Sequence, residues 1–510
     1  MDHSEGGRST LEFDLCIIGA GPAGITIARE FANANVRVCL LDAGGLTIER
    51  EVKDLSRAED VGRLPGSEDR HRVRAFGGSS NHWGGHCAPL EPDDFEKLDW
   101  IHHSGWPHGF DELRPFHVRA HDVLGLGEFD YDPESVGAKL GYKTFPFDPT
   151  KIKSTVSRYN RVRFAPTYGD ELNNAPNIKV ILHADVSDIQ LEEAASDKVA
   201  HVLVKTIAGN EFHVAAKCFV VSSGAMENAR ILLMSNQQRP AGLGNHSDLV
   251  GRFYQEHLWH SSGCIVPRTE RPDLKFYFNE WPLGDIGVRA HIAMPANMVR
   301  ELRIPKYRSE ISAVSVAFRT AEAIQLGVTM SDVVALISDP VGLGTVLACR
   351  SESIPTAYLL MNHVEQIPNP DSRVTLSNQK DAFGRPQPRL NWQLSRLDHE
   401  GVVRSQRAIA QEVGRSGFGR VRIELGEDDD TFLQRAFGVG HQMGTTRMDN
   451  DPALGVTDGN AKVHHTDNLY VAGSSLFPRC GWPNPTLTIV ATSIRLADHL
   501  KTQFRADGLL

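Results

Sequence analysis

The stretch that decides the fold runs from Phe13 to Gly24 and reads FDLCIIGAGPAG. Its first part is a short apolar run typical of a buried strand, and the next residues, ITIAREFANAN, have the spacing of an amphipathic helix. Strand, glycine turn and helix in this order are typical of a dinucleotide-binding fold. We expect Gly19 to allow the turn, Gly21 to let backbone approach a pyrophosphate, and Gly24 to permit close helix packing.

A second apolar run, Val36–Leu41, follows the predicted helix and ends at Asp42. This carboxylate stands near the expected distance of about 20 residues from the glycine motif, where it would accept hydrogen bonds from an adenosine ribose. Strand, helix, strand and terminal acid together predict a Rossmann-like domain, without separating FAD from NAD(P). No second G-x-G-x-x-G follows a predicted strand, so a nicotinamide partner is not supported.

Composition narrows the class of protein. The 510 residues carry 54 Lys and Arg against 64 Asp and Glu, a formal charge of −10, and no basic run is long enough to neutralise a phosphate backbone. Nucleic acid is therefore not an expected partner. The polar N-terminus lacks the pattern of a signal peptide and no long apolar stretch is present, which predicts a cytoplasmic enzyme with no membrane contact.

The seven cysteines are scattered and never stand in C-x-x-C spacing. We interpret them as small buried hydrophobic residues in a reducing compartment, and no residue set is assigned to a metal. They are Cys16, Cys39, Cys87, Cys218, Cys264, Cys349 and Cys480.

Four further segments carry a family resemblance. They are RAFGGSSNHWGGHC (74–87), GHQMGTTRM (440–448), NLYVAGSSLFP (468–478) and NPTLTIVATSIRLADHL (484–500). Together with GAGPAG they resemble the glucose–methanol–choline oxidoreductases, most closely the branch of pyranose oxidases, glycoside oxidases and FAD-dependent sugar dehydrogenases. Weaker echoes are SSGAMENARILLMS (222–235), GRFYQEH (251–257) and EQIPNPDSRVTLS (365–377). The resemblance implies FAD as cofactor and oxidation of an alcohol by hydride transfer to flavin N5.

The segment after Arg74 suits a flavin for physical reasons as well. Gly77 and Gly78 remove side chains where backbone passes close to a bulky ring, and Ser79 with Asn81 offers short hydrogen-bonding groups. Beside Gly19, Gly21, Gly24 and Asp42, the cofactor-binding residues that the resemblance implies are Arg74, Gly77, Gly78, Ser79, Asn81, His82, Trp83, Val186, Gly224, Gly473 and Ser474.

His82 raises a separate question. In the pyranose oxidase pattern, a histidine directly before the tryptophan is linked covalently to the flavin 8α carbon. The same His-Trp step is present here, but related sugar dehydrogenases carry it without the bond. The sequence leaves both states of His82 open.

Two residues near the end of the chain match the family's catalytic positions. Oxidising an alcohol requires loss of the hydroxyl proton, so the protein must supply a base. We expect His441 to be that base and Asn484 to hydrogen-bond the same oxygen. A histidine base with a reference pKa of about 6.5 predicts a rate that rises with pH near that value.

The pair Trp482-Pro483 departs from the family, in which small residues are usual before the catalytic asparagine. We expect the Trp482 ring to stand at the mouth of the active site, where it would stack on a sugar face or an aglycone. This substitution argues against simple glucose-type specificity.

These motifs predict an α/β (α+β) chain with two discontinuous domains. Residues 1–95, 175–260 and 435–510 would form a Rossmann-like FAD-binding domain. Residues 96–174 and 261–434 would form a substrate-binding domain on a mostly antiparallel sheet, with strands near 263–267, 311–318 and 373–377.

Three functions remain open at this stage. The first is oxidation of a hydroxyl of a pyranose or glycoside to a ketone, with oxygen or another electron acceptor reoxidising the flavin. The second is oxidation of a primary alcohol on an aminoglycoside or another natural product, which would need acidic residues at the pocket mouth. The third is a redox-neutral lyase that keeps FAD as a structural group. No motif in the sequence identifies which substrate hydroxyl is oxidised or how many subunits assemble.

Overall fold

The computed structural model describes residues 9–62, 71–268, 275–313, 357–426, 432 and 436–510. The helices of this part of the chain are α1 Pro22–Glu30, α2 Arg50–Asp54, α3 Phe110–Leu124, α4 Pro133–Leu140, α5 Phe164–Asn174, α6 Ala225–Met234, α7 Lys275–Phe278, α8 Ala296–Leu302, α9 Arg396–Arg415 and α10 Thr486–Ala506.

The strands form three sheets within the described residues. They are β1 Thr10–Ile18, β2 Val38–Leu41, β3 Glu59–Asp60, β4 His86–Cys87, β5 Lys153–Tyr159, β6 Ile178–Ile181, β7 Asp185–Leu191, β8 Val199–Lys205, β9 Glu211–Val221, β10 Leu258–Pro267, β11 Trp281–Leu283, β12 Ile286–Ala293, β13 Tyr307–Ala313, β14 Tyr358–Val364, β15 Arg373–Lys380, β16 Pro386–Asn391, β17 Gly419–Ile423, β18 Phe437–Gly438 and β19 Leu469–Val471.

The first sheet is the predicted nucleotide-binding sheet. Its order is β6-β2-β1-β9-β8-β7, with β19 beside β9. Strands β6, β2, β1, β9 and β19 run parallel, while β7 and β8 are antiparallel neighbours. The inner half of β1 is buried, as expected for a parallel strand with both faces covered. The predicted order of strand, glycine turn, helix and strand is confirmed.

The second sheet is antiparallel, as the sequence predicts. Its order is β17-β10-β14-β13-β12-β5-β4, with β11 beside β12 and β18 beside β10. The predicted strand at 263–267 lies in β10, and the one at 311–318 overlaps β13 up to Ala313, beyond which it lies outside the described residues. The third predicted strand, at 373–377, falls in β15, which belongs to a separate sheet with β16 and β3.

The two ends of the described chain meet at the first sheet. Helix α10 packs on α1 and α3, and β19 pairs with β9. The strands of this sheet all come from the three stretches that we group into the FAD-binding domain. The domain bounds themselves stay a prediction.

Five cysteines are buried and Cys264 is partly exposed, while Cys349 lies outside the described residues. Among the described helices, none combines the length and the apolar character needed to cross a membrane.

Candidate active site

A cavity of about 470 Å³ joins the glycine turn after β1 to the residues just before α10. Its wall includes Gly19, Gly21 and Asp42 at one end and His441 and Asn484 at the other. We call these the nucleotide end and the catalytic end. Residues that the sequence separates by hundreds of positions are therefore brought to one continuous space.

The three glycines of the first motif differ in geometry. Gly19 has φ +105°, a backbone conformation that side chains rarely adopt. A Cβ on Gly24 would collide with the carbonyl oxygen of Gly19, so this glycine allows α1 to pack on the turn. A Cβ on Gly21 would meet no protein atom within 4 Å, and the same holds at Gly224 and Gly473. These three glycines line the cavity and leave room there for a ligand.

Asp42 closes the nucleotide end below the glycine turn. One carboxylate oxygen accepts the N–H of Ala20 at 2.8 Å, and the other accepts the N–H of Gly44 at 2.8 Å. Each oxygen keeps a second acceptor site, which suits a ribose hydroxyl. Burial raises the pKa of this carboxyl, while the two backbone hydrogen bonds oppose that rise.

A buried ion-pair network stands beside Asp42. Glu227 contacts three arginines: Arg72 at 2.8 Å, Arg74 at 2.8 Å and Arg230 at 3.3 Å. Although burial acts to raise it, the neighbouring arginines hold the pKa of Glu227 well below its usual range. Arg74, which is predicted to bind the cofactor, lines the cavity. Its guanidinium forms ion pairs with Glu227 and, at 2.9 Å, with Asp185.

The remaining predicted cofactor residues divide into two groups. Asn81 turns away from the cavity, because its Nδ2 donates to the carbonyl of Phe76 at 2.9 Å. Gly24 and Gly77 also lie behind the wall. The residues that do line the cavity are Gly78, Ser79, His82, Trp83, Val186, Gly224, Gly473 and Ser474.

The predicted catalytic pair meets at the catalytic end. Nδ2 of Asn484 lies 3.2 Å from Nε2 of His441 across 43 residues of sequence. The amide oxygen of Asn484 is buried and has no protein partner among the described residues. A buried polar atom without a partner at a cavity wall points to a ligand group that completes it.

Sequence reasoning missed a second histidine behind the first. Nδ1 of His257 lies 2.9 Å from Nδ1 of His441, and its Nε2 lies 2.9 Å from the carbonyl oxygen of Gly481. The His363 ring is 4.4 Å from the His257 ring. His257 ends the segment GRFYQEH and His363 stands just before EQIPNPDSRVTLS, two segments that resemble the family weakly. The resemblance therefore marks these regions but gives neither histidine a function.

Arg308, on β13, lies at the centre of this histidine cluster. Its Nη1 is 3.1 Å from Nε2 of His86, and its Nη2 contacts Glu310 at 3.0 Å. Burial first, then neighbouring cations that include Arg308, hold the pKa of His441 well below its usual range. The same two causes lower the pKa values of His86 and His363. The pKa of His441 therefore differs from the ordinary histidine value that the sequence expectation used.

Ring nitrogens of His257, His363 and His441 lie within 4.8 Å of one another, a spacing that a metal ion can bridge. However, two of these rings are already joined by a hydrogen bond, and the buried cation of Arg308 stands beside them. Because like charges repel strongly in a medium of low dielectric, this environment disfavours a second cation.

Trp482 does not stand at the mouth of the cavity. Its side chain is buried at 2% exposure and packs under Arg308, whose guanidinium carbon lies 5.4 Å from the ring centre. The ring therefore supports the histidine cluster from behind. The expectation that it contacts substrate at the entrance is not met.

The residues present fit FAD. The cavity joins a dinucleotide turn to His441 and Asn484, three glycines leave positions in its wall free of side chains, and the buried Asn484 oxygen has no protein partner among the described residues. Asp42 offers acceptors to a ribose, and the N-terminus of α1 offers N–H groups to phosphates. FAD, when bound, accepts a hydride from the substrate carbon.

Parts of this chain are similar in sequence to known oxidoreductases. The family model for GMC oxidoreductases matches residues 368–493. Paromamine 6'-oxidase from Streptomyces fradiae is 27% identical over an alignment that covers 95% of this chain and 90% of that protein. Pyranose 2-oxidase from Tricholoma matsutake is 24% identical, covering 85% of this chain and 73% of that protein.

A solved structure shares the fold. Pyridoxine 4-oxidase from Mesorbium loti superposes with a TM-score of 0.58 at 19% identity, covering 96% of this chain and 99% of that one. The motifs, the cavity and these matches lead to one conclusion: the chain is an FAD-dependent oxidoreductase that acts on an alcohol donor, and its residues 368–493 match the GMC oxidoreductase family.

Proposed function

We propose that this enzyme oxidises a hydroxyl group of an uncharged sugar or glycoside to a carbonyl, with His441 as general base and Asn484 as the group that orients the oxygen. The observation that carries the proposal is the 3.2 Å approach of Asn484 Nδ2 to His441 Nε2 at the cavity wall. A substrate oxygen beside both atoms can donate its proton to the imidazole while it accepts a hydrogen bond from the amide.

The pKa of His441 favours this role. Because burial and nearby cations disfavour the imidazolium, the ring is neutral at pH 7 and ready to accept a proton. The amide of Asn484 then stabilises negative charge as it develops on the substrate oxygen. Loss of that proton prepares the carbon to release its hydride to the flavin.

The charge of the cavity wall supports an uncharged substrate. Among the described lining residues, the acids are Asp42, Asp185 and Glu227, and all three stand at the nucleotide end with arginine or backbone partners. The catalytic end has the buried cation of Arg308 behind it. A polycationic substrate would lack a carboxylate there and would face a like charge.

A second candidate is oxidation of a primary alcohol on an aminoglycoside. It is favoured by the paromamine 6'-oxidase relative, which aligns over nearly the full length of both proteins. The two candidates differ in one measurable property, the charge of the substrate that reduces the flavin. Either oxygen or another acceptor would reoxidise the flavin afterwards.

The test is anaerobic bleaching of the bound flavin by monosaccharides, O- and C-glycosides and aminoglycosides. We expect uncharged sugars or glycosides to bleach it, and bleaching by aminoglycosides alone would support the second candidate. A compound that is converted while the flavin stays oxidised would instead identify a redox-neutral lyase.

With the best substrate, His441→Ala should slow flavin reduction by roughly 10²–10⁴-fold while FAD stays bound, because a general base contributes about that factor. The matched control is His464→Ala, since this ring contacts the backbone oxygen of Asp449 at 2.8 Å and does not line the cavity. A wild-type rate in His441→Ala would place the base elsewhere.

A further inference from the structure

We propose that His257 is a positioning residue that fixes His441 in the tautomer whose Nε2 is free to accept a proton. The inference rests on the proposed function, because it takes His441 as the base. It assigns a task to a fully buried side chain that lies behind the cavity wall.

The carbonyl of Gly481 determines which nitrogen of His257 is protonated. A carbonyl oxygen only accepts hydrogen bonds, so Nε2 of His257, 2.9 Å away, must carry the hydrogen. Burial lowers the pKa of His257 to about 4, so the ring holds a single proton at pH 7. That proton is on Nε2, and Nδ1 of His257 therefore presents a lone pair.

The lone pair dictates the state of the next ring. Nδ1 of His441 lies 2.9 Å from Nδ1 of His257, so the His441 nitrogen must be the donor. A neutral His441 that is protonated at Nδ1 has its own lone pair on Nε2. The contact with Asn484 fits this tautomer, because the Nδ2 donor of Asn484 lies 3.2 Å from Nε2 of His441.

The peptide at Gly481 is itself held in place. Its N–H donates to Oε1 of Glu365 at 3.2 Å, while Arg479 donates to both carboxylate oxygens of Glu365 at 2.9 and 2.6 Å. Arg479 and Glu365 are fully buried. A carbonyl fixed in this way can orient His257, and through it His441, before any substrate arrives.

Burial and the cation of Arg308 favour the neutral state of both rings. His71 acts in the same direction on His441, whereas the carboxylate of Glu365 opposes it at His257. His363 packs against the His257 ring at 4.4 Å between centres. Protonating His257 at Nδ1 would also place two donors at the 2.9 Å contact.

The first test observes the tautomer directly. The FAD-loaded enzyme is labelled with 15N-histidine, and the His441 signals are identified by their loss in His441→Gln. At pH 7.5, without substrate, we expect a protonated Nδ1 and an unprotonated Nε2 on His441. A protonated Nε2 would overturn the proposal, whether or not any variant at position 257 folds.

The second test releases the restraint. His257→Phe keeps a ring of similar size but has no acceptor, so part of the His441 population should carry its proton on Nε2. We expect flavin reduction to slow by roughly 10–100-fold, less than the about 10⁴-fold loss when a base is forced into the wrong tautomer. The dissociation constant of the substrate should change by less than about twofold, since uniform binding is untouched.

Rescue and control variants separate positioning from packing. His257→Asn offers an oxygen near the place of Nδ1 and should recover part of the lost rate. His121→Asn is the matched control, because that buried ring also binds a backbone carbonyl, Gly127 at 3.1 Å, and a side chain, Tyr131 at 3.0 Å, away from the cavity. It should reduce its flavin at the wild-type rate.

Failure of the inference and failure of the proposed function give different results. If His441→Ala is slow but His257→Phe is as fast as wild type, His257 has no positioning role. If His441→Ala itself is as fast as wild type, the proposed base is wrong and the tautomer has no bearing on the reaction.

Discussion

At the nucleotide end of the cavity, four arginines pair with three carboxylates. At the catalytic end, by contrast, one buried arginine, Arg308, lowers the pKa values of five histidines. Ion pairs in the first region fix full charges in place near neutral pH. In the second region, burial and a shared cation keep the histidines uncharged. The histidines are His86, His257, His291, His363 and His441, and the arginines of the first region are Arg72, Arg74, Arg230 and Arg385.

This difference suggests that one end holds a ligand and the other moves a proton. Fixed charges suit the binding of a cofactor that must stay through every turnover. Neutral, protonatable rings suit a step in which a proton changes place. Binding and chemistry should therefore separate when each end is changed alone.

The largest effect is expected from Glu227→Gln. It removes the charge shared by Arg72, Arg74 and Arg230, and breaking a buried ion pair by removing one partner costs about 3–5 kcal/mol. We expect a loss of that size in the free energy of unfolding, measured with denaturant on the apoprotein. The control Glu171→Gln breaks a more exposed pair with Arg29 and should cost at most about 1 kcal/mol. Equal losses of unfolding free energy in the two variants would contradict the view that the Glu227 ion pairs are more stabilising than an exposed pair.

A smaller effect is expected from Asp42→Ala. Loss of a charge-assisted hydrogen bond to the ribose should weaken FAD binding by about 1.5–3 kcal/mol, measured by titrating apoprotein with FAD. Asp14→Ala is the control, because this buried carboxylate bonds Arg37 and Lys217 and does not line the cavity. Unchanged FAD affinity in Asp42→Ala would remove Asp42 from the cofactor site.

Asn484→Ala should have a smaller effect on the chemical step than His441→Ala. A single neutral hydrogen bond contributes about 0.5–1.5 kcal/mol, so the rate of flavin reduction should fall by roughly 2–13-fold. In the double variant with His441→Ala the two losses should not add, because both side chains act on one oxygen. Additive losses would mean that Asn484 and His441 do not act on the same substrate oxygen.

The smallest effect is expected from pH. An ordinary histidine base with a pKa of about 6.5 would lose roughly tenfold in rate between pH 7.5 and 5.5. Because the pKa of His441 is held well below that value, we expect a loss of less than about twofold. Stopped-flow flavin reduction over this range tests it, and a tenfold loss would show that the ring is not shielded.

The rates at low pH should be measured soon after a pH jump, because the folding stability of the protein decreases as the pH falls. His257 has a folded pKa of about 4 and an unfolded pKa of about 6.5, so the unfolded chain binds more protons between these values. Stability is then full above about pH 6.5 and falls as the pH drops toward 4.

The sequence predicts the nucleotide end well because its geometry is local. The turn at Gly19 and the tight packing at Gly24 follow from residue types a few positions apart. The contact between His257 and His441 joins residues 184 positions apart, and only the packing of the second sheet brings them together. Neither the burial of Trp482 nor the hydrogen bond of Asn81 to the carbonyl of Phe76 follows from a motif, because a motif gives residue types and not side-chain directions.

The closure of the first sheet by β19, and of its helical layer by α10, has a consequence for synthesis of the protein. On the ribosome, β1 and α1 emerge early, but the strand and the helix that cover β9 and α1 follow more than 400 residues later. Until then the nascent chain exposes apolar surface that the finished enzyme buries, and such surface is prone to aggregation. Cofactor loading must wait as well, since Gly473 and Ser474, which complete the cavity wall, are made only after β19.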